Sequence, residues 1–157
     1  MLLFPDLPEL RPLKAIDAEW LEELHAQCFD EYERWPEDLF EKFLQTPAAF
    51  GIAATIHGQP GGFILGQKAA DEAEIVTIAV LPYARRRGLG TFLTEAFCNL
   101  CHSQKAEKIF LEVAQDNTSA ILLYKKLGFS KAGRRPDYYK KERGSVDALI
   151  MQKSLPA

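Results

Sequence analysis

Apolar residues recur along this chain at two spacings, three-to-four and two, and the change from one to the other divides it into helices and strands. Trp20, Leu21, Leu24 and Phe29 share one helical face, which predicts a helix from Ala18 to Phe29 with Asp17 as its N-cap. Leu39, Phe40, Phe43 and Leu44 predict a second from Glu37 to Gln45, with Pro47 beyond its end. The segment between them, Asp30 to Pro36, is acidic and aromatic and reads as a loop. Ala49 to Ile56 and Gly61 to Gln67 then read as strands joined by His57-Gly58-Gln59-Pro60, and Glu74 to Val80 as a longer strand. Phe92, Leu93, Ala96, Phe97 and Leu100 mark a helix from Gly90 to about Gln104. Lys108 to Ala114 is a strand, Thr118 to Leu127 a helix stopped by Gly128, and Val146 to Ser154 the closing strand. With an initial strand near Glu9 to Lys14, the order is β-α-α-β-β-β-α-β-α-β, a mixed α/β architecture without repeats or low-complexity tracts.

At 157 residues, 47% hydrophobic and 26% charged, the chain has the size and composition of a single globular domain spanning residues 1–157. Its apolar stretches are too short to span a membrane, and Met1 to Leu13 is acidic and proline-punctuated where a signal peptide is basic and then apolar, so a cytoplasmic location is expected. The net charge of −3 conceals a division: residues 1–84 carry 15 acidic and 5 basic side chains, and residues 85–157 carry 7 and 14. That division suits a polyanionic ligand on the second half and a cationic one on the first; it equally suits two halves that complement each other. Cys98-Asn99-Leu100-Cys101-His102 has the spacing of a haem-attachment motif, yet it lies inside a predicted amphipathic helix, where both cysteines read as small buried residues. With Cys28 the one other cysteine, no metal, haem or redox role is expected.

Chemistry concentrates first at Ile78-Ala79-Val80-Leu81-Pro82-Tyr83-Ala84-Arg85-Arg86-Arg87-Gly88-Leu89-Gly90, where a strand breaks at a proline and turns through a basic loop into a helix. Gly88 and Gly90 let the backbone approach a ligand, and the first N–H groups of the helix, through Thr91, lack intrahelical partners and favour an anion. Arg85, Arg86 and Arg87 add positive charge, so the segment reads as a pyrophosphate cradle; an ordinary helix entry with an exposed basic turn would look similar. No Gly-Lys-Ser/Thr follows, as a Walker loop requires, and the third glycine of a dinucleotide fingerprint is missing.

A second concentration begins at Glu112, a carboxylate within the apolar strand Ile109-Phe110-Leu111-Glu112-Val113, on the face of Phe110 and Ala114. A buried carboxylate is either a general base whose proton affinity burial has raised or a structural partner of an arginine or lysine on a neighbouring strand. Asn117 opens the next helix and Tyr124 lies seven residues on, about two turns, so both project from one side. They could hold a ligand along the helix, Asn117 bonding an amide and Tyr124 donating to a leaving thiolate, or be a cap and a core aromatic.

Arg85-x-x-Gly88-x-Gly90 resembles the acyl-CoA signature of the GNAT superfamily of N-acetyltransferases, and Glu112, Asn117, Tyr124 and Leu127-Gly128-Phe129 resemble the second half of that pattern. Within the superfamily the segment from about Glu72 to Leu155, including Asp137-Tyr138-Tyr139 and Asp147-Ala148-Leu149-Ile150-Met151, is similar to the RimI-type ribosomal-protein alanine N-acetyltransferases. The resemblance implies the GNAT fold, a mostly antiparallel mixed sheet flanked by helices, with Glu112 as base, Tyr124 as acid, and acetyl-CoA as donor. It implies that Ile78, Ala79 and Val80, the segment Arg85 to Thr91 with Leu89 inside it, Asn117 and Tyr124 hold that donor, without a metal. The acceptor it implies is a protein N-terminal α-amine, the partner a basic N-terminus such as that of a ribosomal protein, attacking the thioester directly while a backbone N–H near Val80 holds the carbonyl.

Three positions depart from the pattern: Arg85 replaces a frequent glutamine, Ala114-Gln115-Asp116 replaces a more basic turn, and the loop around Asp30 to Trp35 differs. Glu31, Glu33, Trp35, Tyr138 and Tyr139 are candidates for a peptide groove, and equally for a solvated acidic loop and surface aromatics. A small amine or an aminoacyl-tRNA remains an alternative acceptor, the latter requiring a continuous basic face through Arg134, Arg135, Lys140, Lys141 and Arg143, and a non-catalytic acyl-CoA-binding module a third reading. No membrane contact is expected, and nucleic acid only in the tRNA case.

Overall fold

The computed structural model describes residues 7–142 and 144–156. Seven strands, β1 (Glu9–Pro12), β2 (Ala49–Ile56), β3 (Gln59–Ala69), β4 (Glu72–Val80), β5 (Lys108–Ala114), β6 (Ser130–Lys141) and β7 (Gly144–Ser154), form one sheet in the order β1-β2-β3-β4-β5-β7-β6. Every neighbouring pair is antiparallel except β4 and β5. Helices α1 (Ala18–Cys28) and α2 (Glu37–Gln45) cover one face, and α3 (Leu89–Ser103) and α4 (Thr118–Lys126) the other. Among the described residues no helix is long and apolar enough to cross a membrane.

The expected strands and α-helices are present, and one strand more is added. Strand β6 is a polar sequence, Ser-Lys-Ala-Gly-Arg-Arg-Pro-Asp-Tyr-Tyr-Lys-Lys, exposed along most of its length. It forms an outer strand of the sheet, paired to β7 with two register irregularities, where Pro136 costs no ladder bond that a central strand would need. Such a strand has no apolar alternation by which to recognise it. The β2–β3 linker is also shorter than expected. His57 and Gly58 take φ of 52° and 77°, the signature of a two-residue type I′ turn, so pairing resumes at Gln59. Asp17 precedes α1 but its side chain does not cap it; it accepts from the Lys14 N–H at 2.9 Å and pairs with Arg11 at 2.9 Å.

Two cores sandwich the sheet. Leu21, Leu24 and Phe40 pack on Phe63, Leu65 and Ala79, while Leu93, Phe97 and Tyr124 pack on Ile64, Ile75, Ile109, Leu111 and Met151. Each such large side chain, fully buried, contributes roughly 1.5–3 kcal/mol. Cys98 and Cys101 lie in the second core, and burial pushes the Cys101 thiol up to about 12, as small buried residues would behave. Phe97 stacks on Phe50 at 4.8 Å, lying across β3 where the chain has Gly66.

Beside Gly66 the register of β3 and β4 shifts: Leu65 faces Thr77 but Gly66 faces Ile75, which leaves Val76 as a bulge. Because side chains alternate, one extra residue exchanges the faces. Ala73 and Ile75 point into the α3 core before the bulge, whereas Ile78 and Val80 do so after it, and Thr77 and Ala79 turn toward α1. The β4–β5 ladder ends at the same place, its last pair being Ile75 with Leu111. Beyond it the strands part.

The buried His25 of α1 links this point to the loop before α2. The Trp35 N–H can only donate, so His25 Nδ1 accepts at 3.3 Å, and Nε2 carries the proton toward the Thr77 hydroxyl at 3.2 Å. Burial, and then the charge of Arg34, lower the His25 pKa from 6.5 to about 4.

Two stability predictions follow from this packing. In Gly66→Ala a Cβ would overlap the Glu74 carbonyl oxygen and the Phe97 ring, so urea unfolding is expected to show a loss of about 2–3 kcal/mol. For His25 the unfolded state takes up a proton below pH 6.5 and the folded state only near 4, so stability falls as the pH drops between them. Urea titrations at pH 7 and pH 5 should differ by about 2 kcal/mol from this residue, a difference absent in His25→Gln.

Candidate active site

The parting of β4 from β5 opens two cavities that meet. The smaller, about 280 Å³, lies between Ile75–Ile78 and Leu111–Ala114 and is closed by His25, Phe29, Glu33, Trp35 and Tyr139. The larger, about 760 Å³, runs along Ile78, Ala79 and Val80 to the start of α3 and the side of α4. Phe29, Ile78, Asn117, Ala120 and Tyr124 belong to both walls.

The larger cavity has donors along its length. Leu81 N–H bonds the Gly61 carbonyl at 2.9 Å, so strand alternation turns the N–H groups of Ile78 and Val80 away from β3, toward the side that β5 has left. Gly88, with φ of 89°, is the left-handed N-cap of α3, a conformation that suits glycine. The first helical bond runs from the Phe92 N–H to the Gly88 carbonyl, which leaves Leu89, Gly90 and Thr91 N–H groups without an intrahelical acceptor at the positive end of a 15-residue helix. A Cβ on Gly90 would meet nothing closer than Leu123 at 3.4 Å, so the protein leaves that space open to the cavity.

The three expected arginines divide. Arg86 lines the cavity; Arg85 lines it too, but its Nε is turned onto the Val80 carbonyl at 2.9 Å; Arg87 is exposed and outside the wall. Leu89 is buried in the core at 1% exposure, so only its backbone faces the helix entry. Cys28, which the sequence left without a role, donates its thiol to the same Val80 carbonyl at 3.4 Å, and burial raises its pKa, which disfavours a thiolate nucleophile.

In the smaller cavity Glu112 is less buried than the sequence suggests. Its side chain remains 21% exposed and Oε1 pairs with Arg135 Nε at 2.9 Å. Glu112 therefore has a structural cation, supplied by β6 from across the intervening β7, and it also lines a cavity beside Tyr124. The Tyr124 ring is buried edge-on to Phe129 at 5.7 Å, and burial pushes its phenol up to about 12. Asn117 caps α4 through Oδ1, which accepts the Ala120 N–H at 3.3 Å, so any ligand contact falls to its amide nitrogen.

The groove candidates also divide. Trp35, Glu33 and Tyr139 line the smaller cavity, the last with its phenol pushed up by burial and then by Glu112. Tyr138 is exposed, edge-on to Tyr139 at 5.1 Å with Arg135 over its ring at 5.4 Å, and Glu31 is exposed; neither is in the wall. Glu33 is engaged by Lys141 at 2.8 Å. The basic face is interrupted in the same way, since Arg134 pairs with Asp147 at 3.4 Å, Arg135 with Glu112 and Lys141 with Glu33; Arg143 lies outside the described residues. Phe29, which ends the apolar stripe of the first helix just beyond α1, and His25 were not singled out as site residues from sequence. Among the described residues no cluster of three or more His, Cys, Asp or Glu could hold a metal ion.

This geometry has relatives. The acetyltransferase (GNAT) family model matches residues 18–129. A [ribosomal protein bS18]-alanine N-acetyltransferase of Salmonella typhimurium is 33% identical over 141 residues, covering 87% of this chain and 88% of its own. The N-alpha-acetyltransferase RimI of Mycobacterium tuberculosis is 32% identical over 145 residues, covering 90% and 89%. The crystal structure of the ribosomal-protein-S18-alanine N-acetyltransferase from Escherichia coli superposes with a TM-score of 0.88 at 29% identity, covering 96% of this chain and 97% of that one. With a family match across most of its length, and full-length relatives that share both sequence and fold, the chain belongs to the acetyltransferase (GNAT) family and is an N-acetyltransferase.

Proposed function

We propose that this enzyme, working as a single domain in the cytoplasm, moves the acetyl group of acetyl-CoA to the α-amine of a protein N-terminus, with the N-terminal alanine of a basic ribosomal protein as acceptor. The observation that carries the reading is the meeting of the two cavities at Ile78, Asn117 and Tyr124, with anion-binding donors at the far end of one and Glu112 in the other. The names of the full-length relatives supply the acceptor. The donor set fits acetyl-CoA, because the entry of α3 with Arg86 presents N–H groups and charge to phosphates, and the backbone of Ile78 to Val80 runs as a free strand edge beside which an amide-bearing arm can lie.

Acetyl-CoA supplies an activated thioester; the protein's task is to deprotonate the amine, hold the carbonyl and receive the thiolate. Glu112 accepts the proton of the arriving ammonium. At pH 7 an α-amine of pKa near 8 is about one-tenth neutral, a lysine of pKa near 10.4 only about one part in 2,500, a gap of roughly 3.3 kcal/mol that makes the N-terminus the easier nucleophile. The Val80 N–H donates to the carbonyl oxygen as negative charge grows on it. Tyr124 stays protonated throughout the working range and hydrogen-bonds the departing thiolate. Full transfer from a phenol near 12 to a thiolate near 8.5 is uphill, so its donation stabilises the leaving charge, and the thiolate takes the second proton of the amine nitrogen, shed as the amide forms. The pairing of Arg134, Arg135 and Lys141 with carboxylates argues against the continuous basic face that an aminoacyl-tRNA would need.

Thiol release from acetyl-CoA should occur with a basic peptide bearing a free N-terminal alanine and not with a matched peptide blocked there but carrying lysines. Equal rates on the two would overturn the α-amine reading. Glu112→Gln and Tyr124→Phe should each lower kcat by about 100-fold or more with unfolding midpoints retained. Arg86→Ala should raise KM for acetyl-CoA about tenfold, the worth of one charge-assisted hydrogen bond, with kcat changed far less.

A further inference from the structure

The assigned base sits 2.9 Å from an arginine whose positive charge offsets its own. The sheet places a second carboxylate where it counters that effect. In the last part of the β4–β5 ladder Glu74 is opposite Phe110, and Ile75 opposite Leu111. Ala73 and Ile75 on β4, and Ile109 and Leu111 on β5, all point into the α3 core, so Glu74 and Glu112 project from the other face, on adjacent strands and one same-face position apart. The cavity wall begins at Ile75, so Glu74 stands at its edge rather than inside it.

We infer that Glu74 is a positioning residue for this reaction, the second carboxylate of a pair whose other member is Glu112 and whose common cation is Arg135. The inference rests on Glu112 being the base. Two carboxylates facing one guanidinium leave an uncompensated negative charge beside the base, which draws an ammonium to the cavity mouth. The electrostatics of Glu74 agree. Its carboxyl is pushed up by partial desolvation and then by the charge of Glu112, while a hydrogen bond with Gln67 of β3 and the charge of Arg135 act the other way. The remaining groups facing the pair are Tyr138 and Tyr139 of β6, which both feel Glu112, with Glu33, tied to Lys141, and the neutral His25 on the far wall of the cavity.

The test is the pH dependence of kcat/KM with the free-alanine peptide. Removing a like charge lowers the pKa of the remaining carboxyl, so Glu74→Gln should move the acid limb to lower pH by roughly 0.5–1 unit. Arg135→Gln should move it to higher pH, and Glu74→Asp should restore most of the wild-type profile. Glu72→Gln, the next same-face position away from Glu112, serves as the surface-charge control and should leave the limb in place. A carbon-13 titration of the Glu112 carboxyl, assigned by its absence in Glu112→Gln, should show the same displacements without turnover. If Glu74→Gln coincides with Glu72→Gln in both measurements, the inference is overturned while Glu112 stands as base. If Glu112→Gln keeps full turnover, the assignment of the base fails and takes the inference with it.

Discussion

The separation of β4 from β5 after Ile75 is the constraint on which the functional architecture depends. A parallel pair in mid-sheet would ordinarily continue to satisfy its N–H and C=O groups, and leaving them unmatched costs free energy unless something else binds there. Here the bulge at Val76 ends the pairing and exchanges the faces of the strand at one stroke. Thr77 becomes available to His25, Ile78 and Val80 turn to the α3 side, and the N–H groups that would have bonded β5 open onto the cavities. Gly66 on β3 is the condition for this, because it admits the Phe97 ring where the register shifts.

Charge is distributed around that opening so that opposite signs serve opposite ends. The helix entry at Gly88 to Thr91, with Arg86, is a positive end without a carboxylate in its wall, which is why an anion suits it. At the other end three cations of β6 are matched by acids from elsewhere in the fold: Arg135 by Glu112, Arg134 by Asp147, Lys141 by Glu33. The acidic excess of the first half and the basic excess of the second are thus partly the complementarity of two halves, seen in the Lys141–Glu33 contact, and partly a division between two ends of one cleft. These pairs are half-exposed, and their worth lies in orienting groups around the cavity more than in stability.

Much of the site was legible because its chemistry is local in the chain. The cradle is a strand end, a turn and a helix start within about a dozen residues, and Asn117 and Tyr124 share a helix face by spacing alone. What reads poorly is any contact whose partner lies far away. Arg135 was visible only as a charge on an unrecognised polar strand, so its bond to Glu112 had no sequence signature. Arg87 and Leu89 belonged to the cradle by position, yet the turn directs one to solvent and packs the other in the core.

The order of elements, the two apolar helix faces, the basic, glycine-bearing helix entry and the family itself were determined by the sequence, because periodicity, turn chemistry and short motifs act over a few residues. The tertiary structure alone decided that β6 would pair with β7, that Val76 would bulge, and that Glu74, Glu112 and Arg135 would converge. Those outcomes depend on register between strands dozens of residues apart, where a shift of one position reverses every side chain, and no pattern confined to one segment records which register its partner will take.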